Sequence, residues 1–365
     1  MTRTPTPKPK RPSPPSSPPR GGQSGSDEEF TPKPYELIPF PKTRPSLKRP
    51  AGHDQYLPDH IHGTLFLTLT VKTALHVSTG VVVMGSDIGN NRIPLIKTMV
   101  QNHDQKLSIQ GSSLKGCIRS LYEAMTKSCI CKTKARREAI PDGYRECTTD
   151  PKKGRVDVCP ACKVFGALNW QGLVEFSDAK GQTMGFTTGF MPSLYRPRPD
   201  QRQAYFTQGK VAGRKFYYHT VRAIDKGQNQ GIPVQEAAKE YTFTTELHFK
   251  NLQDAELGTL LTVLGQDSAY PIALKVGGGK PIGMGTMTVT VDAIDQMTGT
   301  KSLKERYISY TLPESAHLTG EALQQFMQRQ IKAAHSTKLI EQPQLDALFE
   351  VLRYPTDREP PSGMY

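Results

Sequence analysis

The chain has 365 residues, with 47 lysines and arginines against 34 aspartates and glutamates, and a formal net charge of +13 at pH 7. This length allows one large domain or two modest ones. The positive charge favours a polyanionic partner, either nucleic acid or an anionic membrane surface. Membrane is the weaker alternative, because no apolar run approaches the roughly 20 residues of a spanning helix and the N-terminus lacks the apolar region of a secretory signal.

The first segment, residues 1–58, is dominated by Pro, Lys, Arg, Ser and Gly. A segment of this composition buries too little apolar surface to offset the entropy lost on ordering. The sequence therefore predicts a disordered tail. The alternative interpretation is a basic arm that contacts RNA or a neighbouring subunit.

The folded part is expected to begin with a strand near residue 61, where apolar and polar residues alternate in IHGTLFLTLTV. From Ser113 the spacing of Leu114, Ile118, Leu121 and Met125 predicts a helix. Either Ser112 or Ser113 is suited to be its N-cap residue.

The later elements repeat this order. The pattern predicts a strand at residues 173–176, a strand within 241–252, a helix ending at Gly265, a strand, glycine loop and strand within 271–294, and helices near 319–334 and 342–352. Strand, helix, strand occurs twice, as in ferredoxin-like folds. We therefore expect an α+β fold, with a core at 59–298 and a C-terminal helical extension at 299–365.

The predicted helix begins with small and basic residues. Small residues at a helix start let backbone N–H groups face a phosphate, and the helix dipole favours an anion there. Candidate RNA contacts are Ser112, Ser113, Lys115 and Arg119. Lys115 and Arg119 are one turn apart and can share one face. The alternative is an ordinary serine-capped helix with solvated basic residues.

A glycine loop, GGGKPIGMG, occupies residues 277–285. Consecutive glycines are expected where the backbone approaches a partner closely or takes positive φ. Candidate contacts to an RNA backbone are Gly277, Gly278, Gly279 and Lys280. The alternative is a tight hairpin with no ligand.

Five cysteines lie in a basic insertion at 127–163, and Cys117 stands apart. The five are Cys129, Cys131, Cys147, Cys159 and Cys162. Cys159 and Cys162 form a CxxC pair, which is typical of structural Zn²⁺ sites when a second pair completes a tetrahedron. Which four of the five bind metal is left open. Redox chemistry and unliganded thiols are the alternatives. Clustered cysteines in a chain with no export signal favour metal binding over disulfides, and we therefore expect a reducing, cytoplasmic setting.

A basic and aromatic stretch at residues 190–220 is predicted to form a long hairpin. Its candidate RNA-binding residues are Arg196, Arg198, Arg214, Lys215 and Tyr217. Basic residues interleaved with aromatics can supply phosphate contacts and stacking faces for unpaired bases. The same aromatics could instead fasten the hairpin to the core.

Three landmarks together resemble the RAMP superfamily, and most closely the backbone subunits of type III CRISPR effectors. They are GSSLKGCIRS at 111–120, CPACKVFGALNWQGLVEFSDA at 159–179 and GGGKPIGMG at 277–285. GRKFYYH at 213–219 is similar to a segment of type III-D and III-E members. The resemblance covers roughly residues 60–295.

This resemblance implies a ferredoxin-like, RNA-recognition palm with a zinc-binding insertion and a thumb within 190–220. It implies that residues 112–119 and 277–280 contact the guide RNA. The implied partners are guide RNA, target RNA, and other RAMP and type III effector subunits.

Cleavage is where the sequence departs from this family pattern. Cleaving members carry an aspartate two residues before a proline, whereas Arg92 precedes Pro94 here. Arginine is neither a general base nor a Mg²⁺ ligand. We therefore expect a subunit that does not cut, with Asp87 and Mg²⁺ as the alternative for an endoribonuclease. A guide-precursor nuclease using His76 or His62 is a further alternative.

Overall fold

The computed structural model describes residues 34–193, 205–224, 231–297, 299, 304–305, 308–309 and 316–361. Its helices are α1 (Gly111–Met125), α2 (Pro160–Phe165), α3 (Asp254–Val263), α4 (Gly320–Ser336) and α5 (Gln342–Leu352). None of the helices in these ranges is long and apolar enough to cross a membrane.

The strands are short except for three. They are β1 (Tyr35–Ile38), β2 (Ile61–Val71), β3 (Ser78–Met84), β4 (Leu95–Met99), β5 (Ser108–Ile109), β6 (Gly166–Ala167), β7 (Trp170–Gln171), β8 (Val174–Phe176), β9 (Ala179–Gly181), β10 (Thr187–Pro192), β11 (Phe206–Thr207), β12 (Lys210–Val211), β13 (Arg214–Tyr217), β14 (Gly231–Glu236), β15 (Thr242–Leu252), β16 (Leu274–Lys275), β17 (Thr286–Met297) and β18 (His317–Leu318). Helices and antiparallel sheet together confirm the α+β class.

The largest sheet has the order β16-β17-β2-β15-β9-β5, with β8 also paired to β15 and β18 to β17. Every one of these pairings is antiparallel. Leu67 of β2 lies opposite Thr245 of β15 and Val291 of β17, so β2 is central. Helix α1 follows β2 in the chain, and α3 follows β15.

One face of this sheet forms the main core. Leu65, Leu67, Leu69 and Val71 of β2 are buried, and the residues between them are only half-buried. They share a cluster with the apolar faces of α1 and α3, which include Leu114, Ile118, Leu121, Leu257, Leu260 and Leu261. The period-2 and helical patterns therefore predicted these elements correctly, because burial on one side determines both patterns.

A second sheet has the order β10-β14-β4-β3. Its β14–β4 pairing is parallel and the other two pairings are antiparallel. Residues 194–204, which are part of the hairpin expected at 190–220, lie outside the described residues. Of that hairpin, the structure describes β11, β12 and β13.

The segment predicted as a disordered tail differs from the prediction over residues 34–58. Strand β1 pairs antiparallel with β13, and Tyr35 and Ile38 are buried. The backbones of Lys48 and Val158 exchange two hydrogen bonds. The short apolar run YELIPF supplies the burial that the average composition of residues 1–58 conceals.

The C-terminal helices α4 and α5 confirm the two helices predicted near residues 319–334 and 342–352. Helix α4 packs closely on α3, where a Cβ atom on Gly258 would lie 1.9 Å from the Gln330 carbonyl oxygen. Helix α5 begins beside the end of α1, because Glu341 N donates to Met125 O at 2.8 Å.

Candidate metal centre and nucleic-acid interface

Four buried cysteines form a compact group between α1 and α2. They are Cys129, Cys147, Cys159 and Cys162, and their sulfur atoms all lie within 4.8 Å of one another. The Cys129 sulfur is 3.6 Å from the sulfurs of both Cys159 and Cys162. A tetrahedron with metal–sulfur bonds of about 2.3 Å has sulfur–sulfur edges of about 3.8 Å. The four residues therefore fit one tetrahedral metal ion.

Backbone donors stabilise negative charge on this cysteine cluster. Cys129 N donates to the Cys159 sulfur, and Cys159 N donates to the Cys147 sulfur, each at 3.4 Å. Hydrogen bonds among the four clustered thiols lower the pKa of Cys159 and raise the pKa values of Cys129 and Cys162. Thiolate is the form of cysteine that binds metal.

The fifth cysteine lies outside the cluster. The Cys131 sulfur is half-buried and faces Glu146 at 3.8 Å. Burial raises the pKa of Cys131 to about 11. Four of the five candidate ligands therefore lie in the cluster. Of the two cysteines in the irregular CxC pair, only Cys129 belongs to it.

Arg119 and Arg214, which were predicted to contact RNA, lie beside the cysteine cluster. Arg119 donates to Glu123 Oε1 at 2.8 Å and to the Cys162 sulfur at 3.2 Å. Arg214 donates to the carbonyls of Ser128 and Cys129 at 2.6 and 3.1 Å. Both guanidinium groups therefore provide positive charge near the proposed thiolates.

Glu123 links the two arginines. Its carboxylate is buried and accepts hydrogen bonds from Arg119 and from Arg214, the latter at 3.4 Å. The sequence alone gave no sign of this residue, because a glutamate on a predicted helix is normally solvated. Its partner Arg214 is 91 residues away in the chain.

The start of α1 differs from the prediction. The N-cap residue is Gln110, so Ser112 and Ser113 lie inside the first turn. Asp178 Oδ1 accepts a hydrogen bond from Gly111 N at 2.7 Å. A carboxylate therefore already occupies part of the positive end of this helix. Asp178 belongs to the FSDA landmark, which carried no role in the sequence prediction.

Lys115 and the glycine loop lie on different flanks of α1. Lys115 Nζ donates to Val174 O of β8 at 3.1 Å. On the other flank, the Cys117 sulfur donates to Lys275 O, next to the glycine loop, at 3.4 Å. Lys280 lies close enough for its charge to act on the Cys117 thiol. Cys117 is thus the residue of α1 that contacts the strand before the loop.

Most glycines of the loop are explained by packing inside the chain. Gly277 has a φ of +75°, and a Cβ atom there would lie 2.4 Å from His76 O. Gly279, Gly283 and Gly285 also have positive φ and crowded Cβ positions. These positions support the alternative interpretation of a tight hairpin.

Two other glycines have no such explanation. A Cβ atom on Gly278 would meet nothing closer than 3.6 Å, and its φ is not positive. Gly116, in the middle of α1, is exposed and would meet nothing within 4 Å. Glycine inside a helix costs about 1 kcal/mol relative to alanine. The lack of a side chain leaves backbone accessible at both positions, on helix α1 at Gly116 and on the glycine loop at Gly278.

The buried side chain of Lys275 lies next to the glycine loop. Lys275 Nζ donates to Gly283 O at 3.1 Å and to Thr286 Oγ1 at 3.2 Å. Burial, and then the charge of Lys280, lower the pKa of Lys275 to about 7. The imidazole of His219 contacts the same threonine. Its Nδ1 lies 3.0 Å from Thr286 Oγ1, and its Nε2 lies 3.0 Å from Ala273 O.

The sequence of this region now decides the family. The model of the RAMP superfamily matches residues 68–288, which include α1, the cysteine cluster and the glycine loop. The chain belongs to the RAMP superfamily. A comparison with curated protein sequences found no match.

Two solved structures are distant neighbours of this RAMP protein. One is the cryo-EM structure of the type III-B Cmr-beta bound to cognate target RNA, with 13% identity and a TM-score of 0.35, covering 66% of this chain. This chain spans 62% of the length of that one. The other is the crystal structure of Thermofilum pendens Csc2, with 12% identity and a TM-score of 0.35, covering 85% of this chain and 91% of that one.

Strand β13 of the RAMP protein, which carries Lys215 and Tyr217, packs against strand β1 near the N-terminus. Lys215 Nζ lies 3.9 Å from the centre of the Tyr35 ring and 4.7 Å from that of Tyr217. These contacts favour the interpretation that the aromatics fasten the hairpin. Arg196 and Arg198 lie outside the described residues, so their predicted RNA contacts stay predictions.

The candidate cleavage residues of the RAMP protein have structural partners. Asp87 Oδ2 accepts a hydrogen bond from Met84 N at 3.1 Å, which caps the turn that contains Asp87. Arg92 is exposed, and its backbone N donates to Asn90 Oδ1 at 3.2 Å. These contacts favour a turn aspartate over a catalytic one.

Both candidate histidines are buried. His62 Nε2 is 3.0 Å from Leu57 O, and its Nδ1 accepts from Asn251 N at 2.9 Å. His76 Nδ1 is 2.7 Å from Gln235 O. Burial lowers the pKa of each ring, which favours the neutral form. Neither imidazole is presented to solvent as a general acid or base.

Proposed function

We propose that this RAMP protein is a guide-RNA-binding backbone subunit of a type III CRISPR effector. Its partners are guide RNA, target RNA, and other RAMP and type III subunits. The RNA backbone lies on a surface formed by the exposed side of α1 and the glycine loop, which we call the glycine surface. Its residues are Ser113, Gly116, Cys117, Gly278 and Lys280.

One observation carries this proposal. Gly116 and Gly278 lack side chains for no reason internal to the fold, and their elements meet at the Cys117–Lys275 contact. A sugar–phosphate strand needs such close approach to backbone. The charge of Lys280 suits an anion, and the net charge of +13 suits an RNA partner.

The topology supports a ferredoxin-like palm. Strands β17, β2, β15 and β8 are neighbours in that order, with α1 between β2 and β8 in sequence and α3 between β15 and β17. This is the double split βαβ arrangement of that fold. The thumb is assigned to the hairpin within residues 190–220.

The cysteine cluster is proposed to hold structural Zn²⁺. Zinc prefers four thiolates in a closed tetrahedral site, and these four are buried. Bound zinc would join α2 and the cysteine insertion to the end of α1. We assign the subunit no cleavage of its own, because Arg92 replaces the family aspartate and Asp87 caps a turn.

The test uses Gly116→Ala and Gly278→Ala in filter binding with a synthetic guide RNA. Each added methyl group should lower RNA affinity about tenfold, equivalent to roughly 1.4 kcal/mol of lost binding free energy. Gly116→Ala should at the same time raise the free energy of unfolding by about 1 kcal/mol. Weaker binding by a more stable protein cannot be a folding defect.

A charge-reversal pair complements the glycine variants. Lys280→Glu should weaken RNA binding, whereas Lys332→Glu, an equal change at an exposed position of α4, should not. If Gly116→Ala, Gly278→Ala and Lys280→Glu all bind guide RNA as tightly as wild type, the glycine surface is not the binding site.

A further inference from the structure

A cleft of about 430 Å³ lies on the flank of α1 opposite the glycine loop. It is bounded by the start of β2, the end of β15, β8 and the helix itself. Its lining is mostly polar and includes three buried apolar side chains, Leu173, Phe249 and Met297. A cleft of this volume is large enough for one small ligand.

Two lysines line this cleft without an acidic partner. Lys115 Nζ donates to Val174 O at 3.1 Å, and Lys250 Nζ donates to His53 O at 2.7 Å. Neither ammonium forms an ion pair with any residue that the structure describes. Each ammonium has three N–H donors, so each retains two beyond its bond to a carbonyl. Burial, and then the charge of Arg119, lower the pKa of Lys115, and the charge of Glu175 opposes this shift.

Acidic groups near the cleft are turned to other partners or to solvent. Glu175 is exposed at the rim, and Glu246 lies 3.4 Å from His248 Nε2. The opposite nitrogen of His248 is 2.9 Å from Thr64 Oγ1. An anion between the two lysines would therefore meet N–H donors that form no ion pair with the described residues, and the hydroxyl group of Thr64.

An aromatic ring completes the site. Tyr56 is half-buried, stands edge-on to His62 at 4.8 Å between ring centres, and has Lys250 Nζ 4.6 Å from its own ring centre. A tyrosine beside the Lys250 ammonium, in a cleft that Lys115 also lines, suits a ligand that joins a flat ring to a phosphate.

We propose that this cleft is a second anion site, which binds the phosphate of one nucleotide unit between Lys115 and Lys250. The nucleotide is either part of an RNA strand or a free nucleotide, since the phosphate chemistry is the same. The site uses none of the residues of the glycine surface.

The test compares Lys115→Gln and Lys250→Gln with Lys332→Gln, an exposed control on α4. Adenosine 5′-monophosphate is titrated by calorimetry, and a single-stranded RNA is measured by filter binding over a range of salt concentrations. For a free nucleotide, each cleft variant lowers affinity for the monophosphate about tenfold, as expected when a charged hydrogen bond is lost. For an RNA strand, each variant lowers the salt slope of RNA binding by about one unit.

Either result supports the site, and the two results distinguish its ligand. Unchanged monophosphate affinity together with an unchanged RNA salt slope in both variants would overturn it. Because Lys250 also holds the 53–56 loop, thermal unfolding is measured for each variant, and Lys115→Gln tests the site from a different element. If the glycine variants weaken RNA binding while the lysine variants change neither the monophosphate affinity nor the RNA salt slope, the proposed function stands and this site fails.

Discussion

Arg214 is a residue whose role depends on partners distant in the chain. Its guanidinium is buried against Glu123 and the carbonyls of Ser128 and Cys129. Arg214→Ala leaves a buried carboxylate and two carbonyls without this donor, so we expect a loss of about 3 kcal/mol in the free energy of unfolding. Urea denaturation measures it. Arg145→Ala, at an exposed position of the same insertion, should change stability by less than about 0.5 kcal/mol.

Equal stability losses in the Arg214→Ala and Arg145→Ala variants would show that the buried network contributes nothing. The sequence suggested RNA contacts for Arg119 from the basic start of the predicted helix, and for Arg214 from the basic and aromatic stretch at 190–220. It could not identify Glu123 as their partner, because a buried ion pair leaves no periodic pattern.

His219 should make stability depend on pH. Burial, and then the charge of Lys275, lower the pKa of His219 to about 3, against about 6.5 in an unfolded chain. Between these values the unfolded state binds the extra proton, so acidification destabilises the fold by up to about 1.4 kcal/mol per pH unit. The free energy of unfolding should therefore fall less steeply from pH 6.5 to 4 in His219→Gln than in wild type.

Urea denaturation at several pH values measures this dependence. The exposed residue His103 supplies a matched control, since His103→Gln should keep the wild-type slope. Parallel curves for wild type and His219→Gln would contradict the assignment of a neutral, buried imidazole.

At the scale of elements, the cysteine insertion should depend on metal. Cys147→Ser removes a cluster sulfur, so the purified protein should lose its stoichiometric zinc, measured by mass spectrometry of the metal. Cys131→Ser, which changes the sulfur outside the cluster, should retain about one zinc per chain. Equal zinc content in the two variants, whether high or low, would contradict a four-cysteine site.

Elements with regular burial were predictable, and those held by single long-range contacts were not. Strand β2 and helices α1, α3, α4 and α5 follow from apolar periodicity. The start of α1 was misplaced because Asp178, from the loop between β8 and β9, accepts the Gly111 N–H. Strand β1 was missed because its four residues are surrounded by prolines and basic residues.

At the scale of the molecule, the sequence landmarks fall into two places. Cys129, Cys147, Cys159, Cys162, Arg119 and Arg214 form a buried centre, whereas Gly116 and Gly278 leave backbone accessible on α1 and on the glycine loop. The sequence predicted the loop, and it favoured the RNA partner that we propose. It did not separate the glycines that the fold needs from Gly116 and Gly278, because that distinction requires the position of every neighbouring atom.

The central claim is that RNA lies on the glycine surface, and photocrosslinking tests it most directly. Guide RNA containing 4-thiouridine is bound to the full chain and irradiated, and the crosslinked peptides are identified by mass spectrometry. We expect crosslinks within residues 111–120 and 277–285. Crosslinks confined to other peptides, with the RNA fully bound, would contradict it.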